Sequence, residues 1–343
     1  MSTRSKKIFR KLLGYSGIIF FGVAVVALWW QLKKYSWGDI VDALLVIKSQ
    51  WWYILAACGA CLAGYIALAL YDCLALDYVG AKGKVSWWKW MLAVLLGFAI
   101  SNNAGHAVVS GSAIRYRLYT RWRISGGDIV KIVTINGFTY FLGATAIVVA
   151  GYFLVPADMA LESMGISFRL NALFIFCLAT LLAYFAATIV FRNKSIKIGK
   201  MHFDVPSTKT AFLQTLLGIT DSVLAGLVLY FCLKPFNLDV PFGTFIGVFV
   251  IAQTSGVFSQ VPGGIGVFET VFLALFPAAN DAQTTGALIV FRIIYYVLPL
   301  IGVGGLFFVY ERWLRARMRR WINEAKQRIP HFSRDRENKN TQE

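Results

Sequence analysis

The chain has 343 residues, 58% hydrophobic and 15% charged, with a mean hydropathy of +0.62, a balance that excludes an ordinary soluble domain and reads as a polytopic membrane protein. Its formal net charge of +17 would suit a nucleic-acid binder. The Lys and Arg residues, however, sit in short runs between apolar stretches, where topology signals and contacts to anionic lipid belong, so no nucleic-acid partner is expected.

Residues Ser2 to Lys11 carry basic side chains and no acid, which holds the N-terminus in the cytoplasm. The apolar run that follows, Leu12–Leu32, has no small-residue cleavage site and reads as a retained first span. Lys33–Gln50 mixes charged and apolar residues as a helix on the outer surface would. A second span runs from Trp51 to about Leu70. It contains Cys58 and Cys61, a CxxC with no partner ligands nearby, which reads as helix packing. A loop with Lys82, Lys84 and Lys89 leads to Trp90–Ile114, which starts apolar and turns polar at Ser101-Asn102-Asn103-Ala104-Gly105-His106. As one crossing this stretch would expel Arg115, Arg117, Arg121 and Arg123 to the outside; as a re-entrant hairpin it keeps them inside.

The third span is Ile132–Val155, an outer loop holds Asp158 and Glu162, and the fourth span is Leu170–Phe191. A basic inner loop with Arg192, Lys194, Lys197, Lys200 and Lys209 precedes the fifth span, Ala211–Leu233. Phe242–Phe276 then enters, breaks at Pro262-Gly263-Gly264 and leaves on the same side, since each arm has about 13 to 17 residues and a crossing needs about 20. The sixth span, Ala287–Tyr310, returns to a basic tail over 311–343.

This arrangement leaves all but six of the 34 Lys and Arg residues on the cytoplasmic side, with Arg292 in the membrane, as the positive-inside rule requires. Both termini are then cytoplasmic. The expected fold is all-α: a single integral membrane domain with an inverted-topology repeat, about 12–155 and about 170–310, of about six full spans plus two re-entrant helical hairpins. Two short tilted spans in place of either hairpin give the same sides, and eight to ten membrane helices.

The helix break at Pro262, Gly263 and Gly264 is either a tight helix contact or a site, because broken backbone in hydrocarbon must be satisfied by protein or by a water-filled cavity. Opposed hairpins would bring this break and the one at Asn102 and Asn103 toward the midplane, the pattern of a transporter substrate site. Free N–H groups near Gly264, Gly266 and Asn102 suit an anionic head group. His106 and Glu269 flank the two breaks. Arg115 and Arg117, interleaved with Tyr116 and Tyr119, could hold lipid phosphate or merely anchor topology. Asp221 lies mid-span, and Glu269 and Arg292 have matching depths that suggest an ion pair; with Gln260 and Asn136, Asp221 and Arg292 are candidates to line or gate a path. The alternative is that Asp221, Glu269 and Arg292 only tie helices together. His106 with Ser110 lacks a third partner or an oxyanion donor. No metal or nucleotide motif is present, so catalytic residues, metals and cofactors are not expected.

At Ser110-Gly111-Ser112-Ala113-Ile114-Arg115-Tyr116-Arg117-Leu118-Tyr119 and at Val261-Pro262-Gly263-Gly264-Ile265-Gly266-Val267-Phe268-Glu269, the chain resembles the membrane domain of the lysylphosphatidylglycerol synthase/flippase family, also called multiple peptide resistance factor. The resemblance runs from about Lys11 to Arg320. It implies a bacterial inner-membrane protein that moves an anionic or aminoacylated phospholipid between leaflets, as the family does in resisting cationic antimicrobial peptides. Family members with two functions carry a soluble synthase domain after the membrane domain. Here a short basic tail follows the last span, which looks like a stand-alone flippase-like member, with membrane phospholipids and a separate lipid-modifying enzyme as partners and oligomeric state open. The rival readings are a proton- or ion-coupled carrier of a small polar solute, with Asp221 titrating, and a non-transporting membrane scaffold that recruits through the tail.

Overall fold

The computed structural model describes residues 48–104, 107–154, 166–192, 194–199, 201–276 and 281–328, with positions 38, 41, 45 and 46. The first span, most of the expected surface helix, the outer loop with Asp158 and Glu162, and His106 lie outside the described residues. The helices are α1 (Trp51–Tyr78), α2 (Trp87–Ala104), α3 (Ala107–Arg121), α4 (Gly126–Leu154), α5 (Ile166–Val190), α6 (Thr208–Leu233), α7 (Phe242–Phe258), α8 (Val267–Leu275), α9 (Asp281–Arg292) and α10 (Leu298–Arg328). A π-helical turn, Ile293–Val297, joins α9 to α10. The chain divides into two compact units, Met1–Leu300 and Ile301–Glu343; the contacts described below belong to the first.

Five stretches among the described residues are long and apolar enough to cross a bilayer: Trp51–Tyr78, Gly126–Phe153, Asn171–Val190, Thr208–Phe236 and Gln283–Tyr310. They fall on the second to sixth expected spans, and the protein is an all-α polytopic membrane protein. Two pairs of shorter helices pack on one another, α2 on α3 and α7 on α8; the second expected break separates α7 from α8, but Asn102 and Asn103, where the first was expected, are helical, because α2 continues through Ala104 and α3 starts at Ala107. The order of a long helix, a short pair and a long helix therefore recurs.

Local chemistry sets the helix starts. Ser207 accepts the Thr210 N–H at 3.2 Å to cap α6, and Ser125 accepts the Asp128 N–H at 3.1 Å to cap α4, each satisfying a donor that a helix start leaves free. Within the expected inner basic loop, β1 (Ser195–Ile198) pairs antiparallel with β2 (Met201–Asp204), Ser195 opposite Asp204. Gly199, at φ +61, makes the turn. The Tyr78 hydroxyl donates to the Asp204 carbonyl at 2.6 Å, tying this ribbon to the end of α1.

The centre of the packing is α6, which lies against α1 and α4. In hydrocarbon, helices gain little from hiding apolar surface, so close approach of backbones has to supply the attraction. Gly143 of α4 and Gly218 of α6 do this: a Cβ built on Gly143 would stand 1.9 Å from the Gly218 carbonyl carbon, and one on Gly218 2.2 Å from the Thr139 oxygen.

The short pair α2–α3 is fastened by a buried carboxylate. Asp72 of α1 is 0% exposed. Arg115 of α3 grips it with Nε at 3.1 Å and Nη2 at 3.0 Å, Tyr119 donates its hydroxyl at 2.5 Å, and Asn136 of α4 donates its side-chain amide. A bidentate arginine with two further donors is the compensation a fully buried carboxylate requires. The Arg115 guanidinium also stacks on Phe98, 4.6 Å from the ring centre. Gly97 leaves room for it, since a Cβ there would come within 3.0 Å of Arg115 Nη1.

Two outcomes follow for stability in detergent. Gly218→Ala forces α4 and α6 apart and lowers the unfolding temperature sharply, overpacking costing about 1–3 kcal/mol or more, whereas Gly59→Ala, with nothing within 4 Å of its Cβ, is neutral; equal effects would remove the close crossing as a determinant. Asp72→Asn and Arg115→Gln each cost about 3–5 kcal/mol by stranding the other charge. The double variant is less destabilised than the sum of the two, a coupling that a thermal double-mutant cycle reads directly.

Candidate functional site

The second break is built residue by residue from its sequence. At the end of α7, Gln260 takes a left-handed conformation, φ 57, and its side-chain amide donates back to the Val257 carbonyl at 2.9 Å. Val261 is extended, as a residue before proline must be. Pro262–Gly264 form one tight turn with Gly263 and Gly264 both at positive φ, and Gly266 at φ 81 swings the chain into α8. A side chain at Gly264 would also meet Gly256 Cα at 3.0 Å. These glycines answer both to backbone geometry and to the closeness of α7.

Two backbone groups of this break, the Gly266 N–H and the Gly263 carbonyl, are taken up by one ion pair. Glu269 accepts the Gly266 N–H at 2.8 Å through Oε2 and the Arg292 Nε at 2.9 Å through Oε1, with Arg292 Nη2 on the same oxygen. Arg292, 2% exposed, donates Nη1 to the Gly263 carbonyl and lies over the rings of Tyr296, at 4.6 Å, and Phe268, at 5.4 Å. Glu269 and Arg292 are thus brought together, and both bind the break itself.

The π turn beside Arg292 supplies the other wall. Widening the helix here displaces carbonyls from the regular ladder, and two of them accept bonds from neighbouring helices: Tyr296 O from the Asn103 amide at 3.2 Å, and Ile294 O from Cys61 at 3.6 Å. The first short pair is held against the second half of the fold in this way, and the CxxC cysteine serves packing.

Between these walls lies a cavity of about 60 Å³. It is lined by Ser101 and Asn102 of α2, by Gln253, Gly256 and Val257 of α7, by Gln260, Val261, Gly263 and Gly264 of the break, by Phe268 of α8, and by Tyr295 and Tyr296 of the π turn. The last turn of α2 and the break after α7 therefore meet in one space. Its surface offers amides, hydroxyls, phenols and glycine backbone, and no charged side chain is among the lining residues. That chemistry binds by hydrogen bonding and stacking, with no metal-ligating group of three among the described residues.

Of the candidate residues, Asn102, Gln260, Gly263 and Gly264 line the cavity. Asn103 is fully buried behind it, its amide on the Ala99 and Tyr296 carbonyls. Pro262, Gly266, Glu269 and Arg292 shape the break. Arg115 and Asn136 are gathered at Asp72 instead, and Arg117 is 7% exposed and outside the lining. Asp221 is buried on α6, hydrogen-bonded by Tyr71. Sequence reasoning missed Asp72, Gln253, Tyr295 and Tyr296. For Gln253 the signal existed, a lone amide in the apolar run of α7; for Asp72 and the tyrosines nothing local pointed inward.

Exchanging the buried charges probes the clamp. Glu269→Gln and Arg292→Gln each lower the yield of folded protein by stranding a partner, at about 3–5 kcal/mol. The swapped double variant, Glu269→Arg with Arg292→Glu, recovers part of that loss and not all, because the bonds to Gly263 and Gly266 are not remade. Full recovery in a size-exclusion assay would mean that the pair acts apart from the break.

The chain is 32% identical over 290 residues to the uncharacterised protein slr0712 of Synechocystis sp., covering 83% of this chain and 87% of that one. It is 28% identical over 292 residues to the inner membrane protein YbhN of Escherichia coli, covering 82% and 87%. A shorter stretch of 89 residues, 25% of this chain and 11% of the other, is 34% identical to the phosphatidylglycerol lysyltransferase of Staphylococcus xylosus. Residues 17–302 match the family described as the lysylphosphatidylglycerol synthase TM region, and the chain belongs to that family.

Proposed function

We propose that the protein is a phospholipid translocator of the bacterial inner membrane, in which a lipid head group passes through the cavity between the two broken helix pairs while the acyl chains stay in the bilayer. The observation that carries this reading is the joint lining of one polar cavity by Ser101 and Asn102 at the end of α2 and by Gln260, Gly263 and Gly264 of the break after α7. Family membership supports a lipid-related role, and the relatives named for lysyl transfer to phosphatidylglycerol and for the inner membrane support the lipid and the location. Both termini sit in the cytoplasm in this reading, and the two repeats insert with opposite topology. The polar path lowers the cost of moving a head group through hydrocarbon by replacing its lost water with amide and hydroxyl partners. No catalytic role is assigned to the cavity residues; a separate lipid-modifying enzyme would supply any modified lipid.

The experiment follows the leaflet exposure of head-group-labelled phospholipids in liposomes containing the purified chain, with anionic, zwitterionic and aminoacylated lipids tested in parallel. The protein accelerates exchange of at least one class. Asn102→Leu and Gln253→Leu, which replace cavity amides with apolar bulk, reduce the rate about tenfold, equivalent to about 1.4 kcal/mol in the barrier, with little change in stability. Folded protein that accelerates no lipid, or variants that leave the rate unchanged, would sink the reading.

A further inference from the structure

Asp72 and Glu269 each face an arginine at salt-bridge distance; Asp221 does not. It is 6% exposed and lies about 20 Å along α6 from Thr208, at 1.5 Å per residue, which is the middle of the span. Among the described residues its one side-chain hydrogen bond comes from the Tyr71 hydroxyl, 3.2 Å from Oδ2. The Tyr71 hydroxyl of α1 is bound to it, and the phenols of Tyr65 of α1, Tyr140 of α4 and Tyr295 of the π turn are close enough to feel its charge. Among the described residues, no cation or second carboxylate acts on it from these elements or from α7 and α9.

A carboxylate left bare in such a place costs several kcal/mol, so the position calls for a cation from outside the fold. Magnesium and calcium take about six or more oxygen ligands, and one carboxylate with one hydroxyl donor does not provide them. A proton needs a single oxygen. The site also neighbours the cavity: Tyr295, which feels the charge of Asp221, lines it, and the Tyr140 hydroxyl lies 3.5 Å from Thr254 Oγ1, next in sequence to cavity-lining Gln253.

We propose that Asp221 is a proton-binding site that couples proton movement to occupancy of the cavity beside it. One carboxylate oxygen takes up a proton from water on one side, an O–H bond forms and the buried charge disappears; the proton leaves to the other side when the cavity changes the face to which it opens. The coupling rests on the translocator reading, whereas proton binding does not.

Two measurements on the full chain in lipid separate these. The first is infrared difference spectroscopy across a pH titration, read at the carbonyl stretch of a protonated carboxyl. The wild type shows a band that Asp221→Asn lacks, and Tyr71→Phe, which keeps the carboxyl and removes its hydrogen bond, moves the midpoint by about one pH unit. A band unchanged by both substitutions overturns the site. The second applies a pH gradient to the liposome assay: it shifts the leaflet distribution of transported lipid by up to about tenfold per pH unit for one coupled proton, and Asp221→Asn abolishes the shift. Lipid movement indifferent to the gradient in the wild type overturns the coupling. If no lipid moves at all, the translocator reading and the coupling fail together, while the infrared band still decides the proton site.

Discussion

A helix that breaks inside hydrocarbon leaves N–H and C=O groups that no water will satisfy, and the architecture around residues 260–266 is organised by that constraint. The Glu269–Arg292 pair meets it from both sides: the carboxylate takes the Gly266 N–H and the guanidinium takes the Gly263 carbonyl. An ion pair with no other duty would stabilise little once desolvation is charged against it. Here each charge also caps a stretch of backbone whose exposure would cost several kcal/mol, so the pair and the break are conditions for one another. Arg292 reaches the break from α9, which makes the second broken pair dependent on the helix that follows it.

The first broken pair is held from the other direction. Arg115 sits on the second arm of that pair and reaches to Asp72 on the helix that precedes it, with Asn136 of the following helix on the same carboxylate. The two pairs thus share an order of elements but not a fastening. The arginine belongs to the arm in one case and to the neighbouring long helix in the other. Each short pair is anchored by its own charges, Arg115 with Asp72 and Arg292 with Glu269.

Much of this was legible beforehand. Spans two to six are continuous apolar runs, and proline with paired glycines marks the second break whatever surrounds it. The Glu269–Arg292 pair was accessible because two opposite charges at equal depth in hydrocarbon have few other partners. Asp72 was not, because it lies just past the expected end of its span and its partners are 43, 47 and 64 residues away; only the folded arrangement reveals that Arg115 faces a carboxylate. The β-ribbon over Ser195–Asp204 was passed over although Ile196, Ile198, Met201 and Phe203 alternate with polar residues around Gly199, a period-two pattern masked by the basic charge of the loop. The π turn leaves no mark in Ile293–Val297 that distinguishes it from ordinary helix.

The placement of charge around the cavity has a physical sense of its own. Arg292, Glu269, Arg115 and Asp72 are all neutralised in pairs, and none lines the cavity. A fixed charge exposed there would hold an oppositely charged group tightly in a low-dielectric surround, and a site that must release what it binds is poorly served by such a well. Amides, hydroxyls and aromatic faces bind more shallowly and exchange partners at little cost. Asp221 follows the same principle: it is held by the Tyr71 hydroxyl and is not among the lining residues, whereas Tyr295, close enough to feel its charge, is. A group whose charge is changeable is more useful in that second row than in the first, because its change of state alters the field across the cavity while leaving the binding surface intact.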